Sequence, residues 1–267
     1  MTLFAPERLT LARQLEGLRK SELAAQIGKS STALAAWESG AKRPTPATIT
    51  ELAMSLGVTP DFFSPRGASR GHETAVPHFR SLRPTSQRAR DQAFAFGLLA
   101  VDIAEAVEKH VEFPPVNVPS FEVSFDDGAD APEEAARRLR REWGLDAGPL
   151  KHLVRLLESH GVLVVFSPPQ TSAVDAYSFE SSERPVVVLN PTKRDYYRQR
   201  FDVAHELGHL VMHADAEPGG RVVEDQANRF AAELLMPKDE LRPLLPTAVN
   251  ARAWDTSVPD ALDPSVM

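Results

Sequence analysis

The sequence predicts a mainly α chain with a small β-sheet, an α+β architecture, divided into an N-terminal helical domain and a larger C-terminal domain. Two observations carry this. Up to Phe63 the chain contains only helix-length segments punctuated by Gly, Ser and Pro, whereas its strand-like runs, VLVVF (162–166) and RPVVVLN (184–190), lie between helical segments in the second half. Two Pro-rich stretches, SPRGASRGHETAVP and FPPVNVPSFEVSFDDGADAP, separate these regions.

Taken in order, residues 6–63 accommodate five short helical segments: LTLARQLEGL, SELAAQIG, SSTALAAWESG, PATITELAMSLG and PDFF. Ser21 with Glu22 suits a cap for the second, Gly28 closes it, and Ser30 or Ser31 caps the third. Leu23, Ala24, Ile27, Leu34 and Trp37 supply the core. A helix follows the first connector at about 88–111, with Phe94, Leu98, Val101, Ala104 and Val107 on one face. The second connector holds a short strand at about Phe121–Phe125. Pro132 starts a helix running to Trp143, and Pro149 starts another ending at His160-Gly161. VDAYSF (174–179) reads as a third strand. Two helices close the domain: one carries FDVAHELGHLVMH (201–213), the other spans about 222–236 before Pro237. The resulting divisions are 1–64, a linker with one helix at 65–131, a domain at 132–246, and a poorly ordered tail at 247–267.

Apolar residues make up 42% and charged residues 25%, as in ordinary globular proteins. Cysteine is absent, so any metal must be held by histidine and carboxylate. No apolar run approaches the ~18 residues of a membrane span, and the charged N-terminus lacks a signal-peptide core, so no membrane partner is expected and the cytoplasm, at the nucleoid, is the expected location. The net charge is −7, confined to the C-terminal part, while 66–90 is locally rich in arginine.

The first domain has a helix-turn-helix layout, with the third segment placed to enter a major groove. Ser21, Glu22-Leu23-Ala24, Gly28, Ser30, Trp37-Glu38, Gly40 and Pro44 fall in a register that resembles the XRE (Cro/CI-type repressor) family. The resemblance implies operator binding. The presumptive reading helix, Ser31-Thr32-Ala33-Leu34-Ala35-Ala36, offers few side chains for base edges. Ser31 and Thr32 are its polar groups, and Lys20, Lys29, Lys42 and Arg43 are placed for phosphates. A domain carrying one net positive charge binds weakly alone, so a homodimer or a second anchor, such as 66–90, is expected. The competing reading is a helical bundle that binds protein only.

The stretch HELGH puts His205 and His209 four residues apart, on one helical face. Two neutral imidazoles there can hold a divalent ion without cancelling its charge, and such an ion lowers the pKa of a coordinated water toward ~7. Glu206 lies roughly 100° round the helix from His205, beside the open position, where a carboxylate can accept a proton. Gly208 costs helix stability and implies close approach by another segment. A third ligand is needed. His213 lies ~12 Å along the helix from His205, too far to share the ion, and reads as a helix-end residue beside the ligands. Glu224 is the better candidate: it borders the apolar stripe of the next helix together with Asn228, whereas Glu233 falls on the solvent side. Tyr177, Tyr196, Tyr197 and His213 are candidates for stabilising an oxyanion, and a substrate strand could add beside 174–179.

Arg200-Phe201, Ala204 through His209, His213, Glu224, Ala227-Asn228, Phe230-Ala231-Ala232 and Leu234 through Pro237 resemble the ImmA/IrrE metallopeptidases over about 132–246. The resemblance implies a zincin-like fold, His205, His209 and Glu224 as zinc ligands, and Glu206 as general base. It also implies a helix-turn-helix repressor as peptide substrate, cut once to relieve repression under stress, phage or mobile-element control. Mn²⁺ and Fe²⁺ suit the same ligands. The alternatives are a DNA-binding regulator whose metalloprotease-like domain binds metal or ligand without proteolysis, and a toxin–antitoxin autorepressor. Similar chains often continue past Leu234-Leu235-Met236-Pro237 into further helices, so a reduced or missing C-terminal wall of the site is an expectation for this sequence.

Overall fold

The computed structural model describes residues 4–65, 78–79, 86–124, 126–168, 174–192, 195–213 and 220–244. The first domain comprises α1 (Pro6–Leu15), α2 (Lys20–Gln26), α3 (Ser31–Glu38), α4 (Pro46–Ser55) and a 3-10 turn at Pro60–Phe63. Proline opens α1 and α4, where its missing N–H has no intrahelical partner to lose. Ser30 Oγ accepts from the Ala33 N–H at 3.1 Å and so caps α3. The cap expected of Ser21 is not formed. α2 begins one residue earlier, and the Glu22 carboxylate reaches back to the Arg19 N–H at 2.6 Å, satisfying a donor of the first turn from within the helix. Gly28 adopts φ +63°, the left-handed turn that lets α3 depart sharply from α2.

Leu9, Leu23, Leu34, Leu52 and Phe63 are almost fully buried in the core of this domain, with Trp37 beside them. Ile27 sits at the margin, partly buried. Glu38, which follows Trp37, is structural: it accepts from Arg13 Nε at 2.5 Å and lies 3.0 Å from Lys20 Nζ.

α5 (Gln87–Glu108), capped by Ser86, packs between the two domains. Against α1 it offers Asp102, ion-paired with the buried Arg8, and Gln92, whose Nε2 donates to the Leu15 carbonyl at 2.9 Å. Ala93 and Val101 join a second core with Tyr177, Phe179, Val186 and Val188 of the sheet.

That sheet has four strands: β1 (His78–Phe79), β2 (Leu163–Phe166), β3 (Ala176–Glu180) and β4 (Pro185–Leu189), in the order β1-β3-β4-β2. β2 and β4 are parallel, and β3 runs antiparallel to both its neighbours. Successive residues alternate between faces. Tyr177 and Phe179 of β3 meet α5, whereas Ala176, with Val187 and Leu189 of β4, packs with α8 (Tyr196–Met212) in the largest core. β4 is buried along its whole length, which is why its run of valines does not alternate with polar residues. α6 (Ala131–Glu142), α7 (Leu153–Ser159), α9 (Arg221–Leu235) and α10 (Lys238–Leu241) complete the domain. No helix among the described residues is long and apolar enough to cross a membrane.

Four further sequence expectations need correcting. α7 starts at Leu153 rather than Pro149, because His152 takes a left-handed conformation (φ 51°) that interrupts the helix. The segment near Phe121 is not a strand. Its backbone instead caps the end of α8, with the Phe121 and Val123 N–H groups donating to the Val211 and Met212 carbonyls at 2.7 and 3.3 Å. Glu233 is only 5% exposed and accepts from Arg137 Nη1 at 3.0 Å, because α6 covers the flank of α9 that periodicity assigned to solvent. The edge of β3 expected to receive a substrate strand is paired with the chain's own His78–Phe79. The tail 247–267 and most of 66–90 lie outside the described residues.

At Gly97 α5 approaches the sheet closely: a Cβ there would sit 2.8 Å from Phe179 and 2.9 Å from the Tyr177 hydroxyl. Gly97→Val is expected to destabilise the protein by about 1–3 kcal/mol through overpacking, read as a lower midpoint in denaturant unfolding. An unchanged midpoint would show that α5 is not held against β3.

Candidate metal centre

Residues 202–212 of α8 are all buried, so this helix runs through the core with no solvent face over its last three turns. Close packing against α9 makes that possible. A Cβ on Gly208 would lie 2.9 Å from Phe230 Cδ1, so glycine is what admits the ring. The two helices are thereby near enough for α9 to reach the imidazoles of α8.

His205, His209 and Glu224 bring one ligand atom each to within 4.8 Å of one another. His205 Nε2 and His209 Nε2 are 3.0 Å apart, and Glu224 lies 3.4 Å from the first and 3.7 Å from the second. The shorter of these two contacts is made by Glu224 Oε2 and the longer by Oε1. Since donors held ~2.1 Å from a tetrahedral ion are about 3.4 Å apart, the carboxylate lies within reach of a cation shared with the two imidazoles. The donor set, two imidazoles and a carboxylate, fits zinc and leaves a fourth position for solvent or substrate. His205 and His209 are fully buried, while Glu224 retains 15% side-chain exposure and marks the side of the site that reaches solvent.

The hydrogen bonds behind the ligands fix their tautomers. His205 Nδ1 is 3.0 Å from Asn228 Oδ1, an acceptor, so Nδ1 carries the proton and Nε2 keeps its lone pair. On the other side runs a relay. Gln226 Nε2 donates to the Ser124 carbonyl at 3.1 Å, which turns Gln226 Oε1 toward His213 Nε2 at 3.0 Å. His213 Nε2 therefore donates, and its Nδ1 accepts from His209 Nδ1 at 3.1 Å. His209 Nε2 is left as a base facing the point of convergence. His213, at the C-cap of α8, thus touches a ligand residue and stands apart from the ligand atoms.

Glu206, which follows His205 on α8, is fully buried and accepts from Ser178 Oγ at 2.7 Å. The tyrosines are elsewhere. Tyr177 points to the opposite face of the sheet, its hydroxyl donating to the Ala93 carbonyl of α5, and burial pushes its pKa well above the usual value, so it stays a neutral phenol. Tyr196 and Tyr197 are about half exposed at the N-terminal end of α8. Two residues escaped the sequence reading. Gln226 had a signal: it is the polar member of the apolar stripe that includes Val223, Ala227 and Phe230. Ser178 had none, since a small polar residue in a strand reads as a surface position.

In the first domain Lys20, Lys29, Ser31, Thr32, Lys42 and Arg43 are all exposed. Lys20 is paired with Glu38 and Lys29 lies 3.7 Å from Glu51. Arg88, at the start of α5, reaches Glu22 of α2 at 3.2 Å.

Asn228→Ala removes the acceptor that orients His205 and is expected to weaken zinc binding by about 10–100-fold with the fold intact, measured by competition with a chromophoric chelator. Equal affinities for the two proteins would mean that Asn228 does not orient the ligand.

Comparison with known proteins finds two matching segments. Residues 157–255 match the family model described as the IrrE N-terminal-like domain, and residues 9–63 match the helix-turn-helix model. No curated protein matches the chain. The chain thus joins an XRE-type helix-turn-helix domain to an ImmA/IrrE-like peptidase domain.

Proposed function

We propose that the protein is a DNA-binding transcriptional regulator carrying a zinc-dependent endopeptidase that makes limited cuts in a repressor-type helix-turn-helix protein. The observation that carries the peptidase reading is the convergence of His205, His209 and Glu224 with Glu206 buried alongside. His205, His209 and Glu224 would hold a divalent cation, which would supply the positive charge needed to activate a water and polarise the scissile carbonyl. The residues of the chain do the remaining work. Asn228 and His213 hold the two imidazoles in the tautomer that presents Nε2. Glu224 contributes one negative charge, which leaves the set cationic overall when it holds a divalent ion. Glu206 accepts the proton of the attacking water and passes it to the leaving amine. The amide bond is thereby hydrolysed to a carboxylate and an amine. Burial of Glu206 excludes bulk water from the proton it carries.

The choice of substrate rests on the fused domains. A regulator that recognises DNA through its own helix-turn-helix domain is brought to the operators where repressors of that class sit, and one cut there ends repression irreversibly. Its grip on DNA is mainly electrostatic, since the outer side of α3 offers base edges only Ser31 and Thr32 beside the partly exposed Ala35 and Ala36.

Two experiments test this. Glu206→Gln should retain one equivalent of zinc and lose cleavage of a co-encoded helix-turn-helix repressor by at least about 100-fold. If the wild type cuts no such repressor and gene regulation survives the substitution, the domain acts as a metal or ligand sensor. For DNA, the Lys42→Ala, Arg43→Ala double variant should weaken binding uniformly across sequences and reduce the slope of log K against log salt by about 2. An unchanged slope in filter-binding or anisotropy titrations would remove these residues from the interface.

A further inference from the structure

Ser178 stands in the middle of β3, fully buried, in the run AYSFE. Its backbone is aligned on both sides, opposite Val187 of β4 and His78 of β1. Its neighbours Tyr177 and Phe179 point to α5, so Ser178 points to α8. An apolar side chain would serve packing there equally well. A buried hydroxyl costs free energy unless it is satisfied, and this one is satisfied by Glu206: Ser178 Oγ lies 2.7 Å from Glu206 Oε2 and 3.3 Å from the Glu206 main-chain carbonyl. The donor therefore comes from an element other than α8 and α9, which carry the ligands.

We propose that Ser178 is a positioning residue, whose hydroxyl fixes the Glu206 carboxylate beside the His205–His209–Glu224 centre. The proposal rests on the reading of Glu206 as the proton acceptor. The need for such a residue follows from the side chain of glutamate. Three torsions separate its carboxylate from the backbone of α8, and the position of Cα alone does not fix where the oxygens lie. Attachment of one oxygen to a laddered strand removes that freedom before substrate arrives. Preorganisation of this kind matters because a displacement of about 1 Å in a reacting group costs on the order of 100-fold in rate. Charge-assisted hydrogen bonds from a hydroxyl to a carboxylate are also among the stronger ones a protein makes. Ser178 touches neither histidine nor Glu224 through any of these bonds, so its effect passes through Glu206 alone.

The test uses the full-length, zinc-loaded protein as wild type, Ser178→Ala and Ser178→Thr. All three should bind one equivalent of zinc with affinities within about twofold. Crystal structures decide the proposal without reference to turnover: in Ser178→Ala the Glu206 carboxylate should move by about 1 Å or more, and in Ser178→Thr it should keep the wild-type position. Against the repressor substrate, Ser178→Ala should lower kcat by about 10–100-fold with KM within about twofold, and Ser178→Thr should recover most of the loss. An undisplaced carboxylate in Ser178→Ala, or equal loss of kcat in Ala and Thr variants with identical Glu206 positions, overturns the proposal. A wild type that binds zinc yet shows no turnover overturns the peptidase reading instead, while the crystallographic comparison still decides the role of Ser178.

Discussion

The contact between Gly208 and Phe230 governs what the C-terminal domain can do. Two candidate ligands on α8 are useful only if a third arrives from elsewhere, and Glu224 is within reach because α9 lies close enough to place a phenyl ring where a Cβ would otherwise be. The cost is a glycine inside a helix, about 1 kcal/mol relative to alanine. Burial of both helices offsets it, with Leu207, Phe230, Ala231 and Leu234 fully inaccessible at their interface and Arg137, Arg140 and Arg229 of the surrounding helices tying α6 to α9. The ligand geometry is thus a consequence of helix packing. Any change that separates α8 from α9 alters the spacing among His205, His209 and Glu224 before it alters their chemistry.

Much of this was legible in the residues. The repeat of histidine at four residues, the intervening glutamate and the glycine led to one helix face, and counting along the following helix led to Glu224 and Asn228. The helical segments of the first domain were legible because each is bounded by Pro, Gly or a capping hydroxyl, and such signals act locally. What could not be read depends on contacts between distant segments. Ser178 meets Glu206 across 28 positions, Gln226 meets Ser124 across 102, and Glu233 is covered by a helix 96 positions earlier. Periodicity places a residue on a face of its own element and carries no information about what covers that face. The same limit explains the edge of β3, which looked open and is paired with His78–Phe79. Ser21 is a local case instead: α2 begins one residue earlier, and Glu22 at its third position reaches back to the Arg19 N–H.

α5 gives the two domains a common scaffold. One face is anchored to α1 by the Arg8–Asp102 pair and by Gln92, and the other meets Tyr177 and Phe179. β3 consequently makes a contact on each face: Tyr177 binds the scaffold helix, and its neighbour Ser178 binds the buried Glu206 carboxylate of α8. The segment that sequence composition marked as linker is in this respect a structural bridge, and the helix-turn-helix domain is attached to the sheet behind the candidate centre rather than tethered loosely beside it.

On the reading proposed above, Glu224, from a second helix, completes a single metal site with His205 and His209. The most direct measurement is X-ray absorption at the zinc edge on full-length protein, compared with Glu224→Gln and with His209→Ala. The wild type should show about two imidazole shells together with oxygen donors at ~2.0–2.1 Å, and Glu224→Gln should lose or lengthen one oxygen contribution while keeping both imidazoles. A wild-type spectrum without histidine scattering, or one that Glu224→Gln leaves unchanged, would contradict the site described.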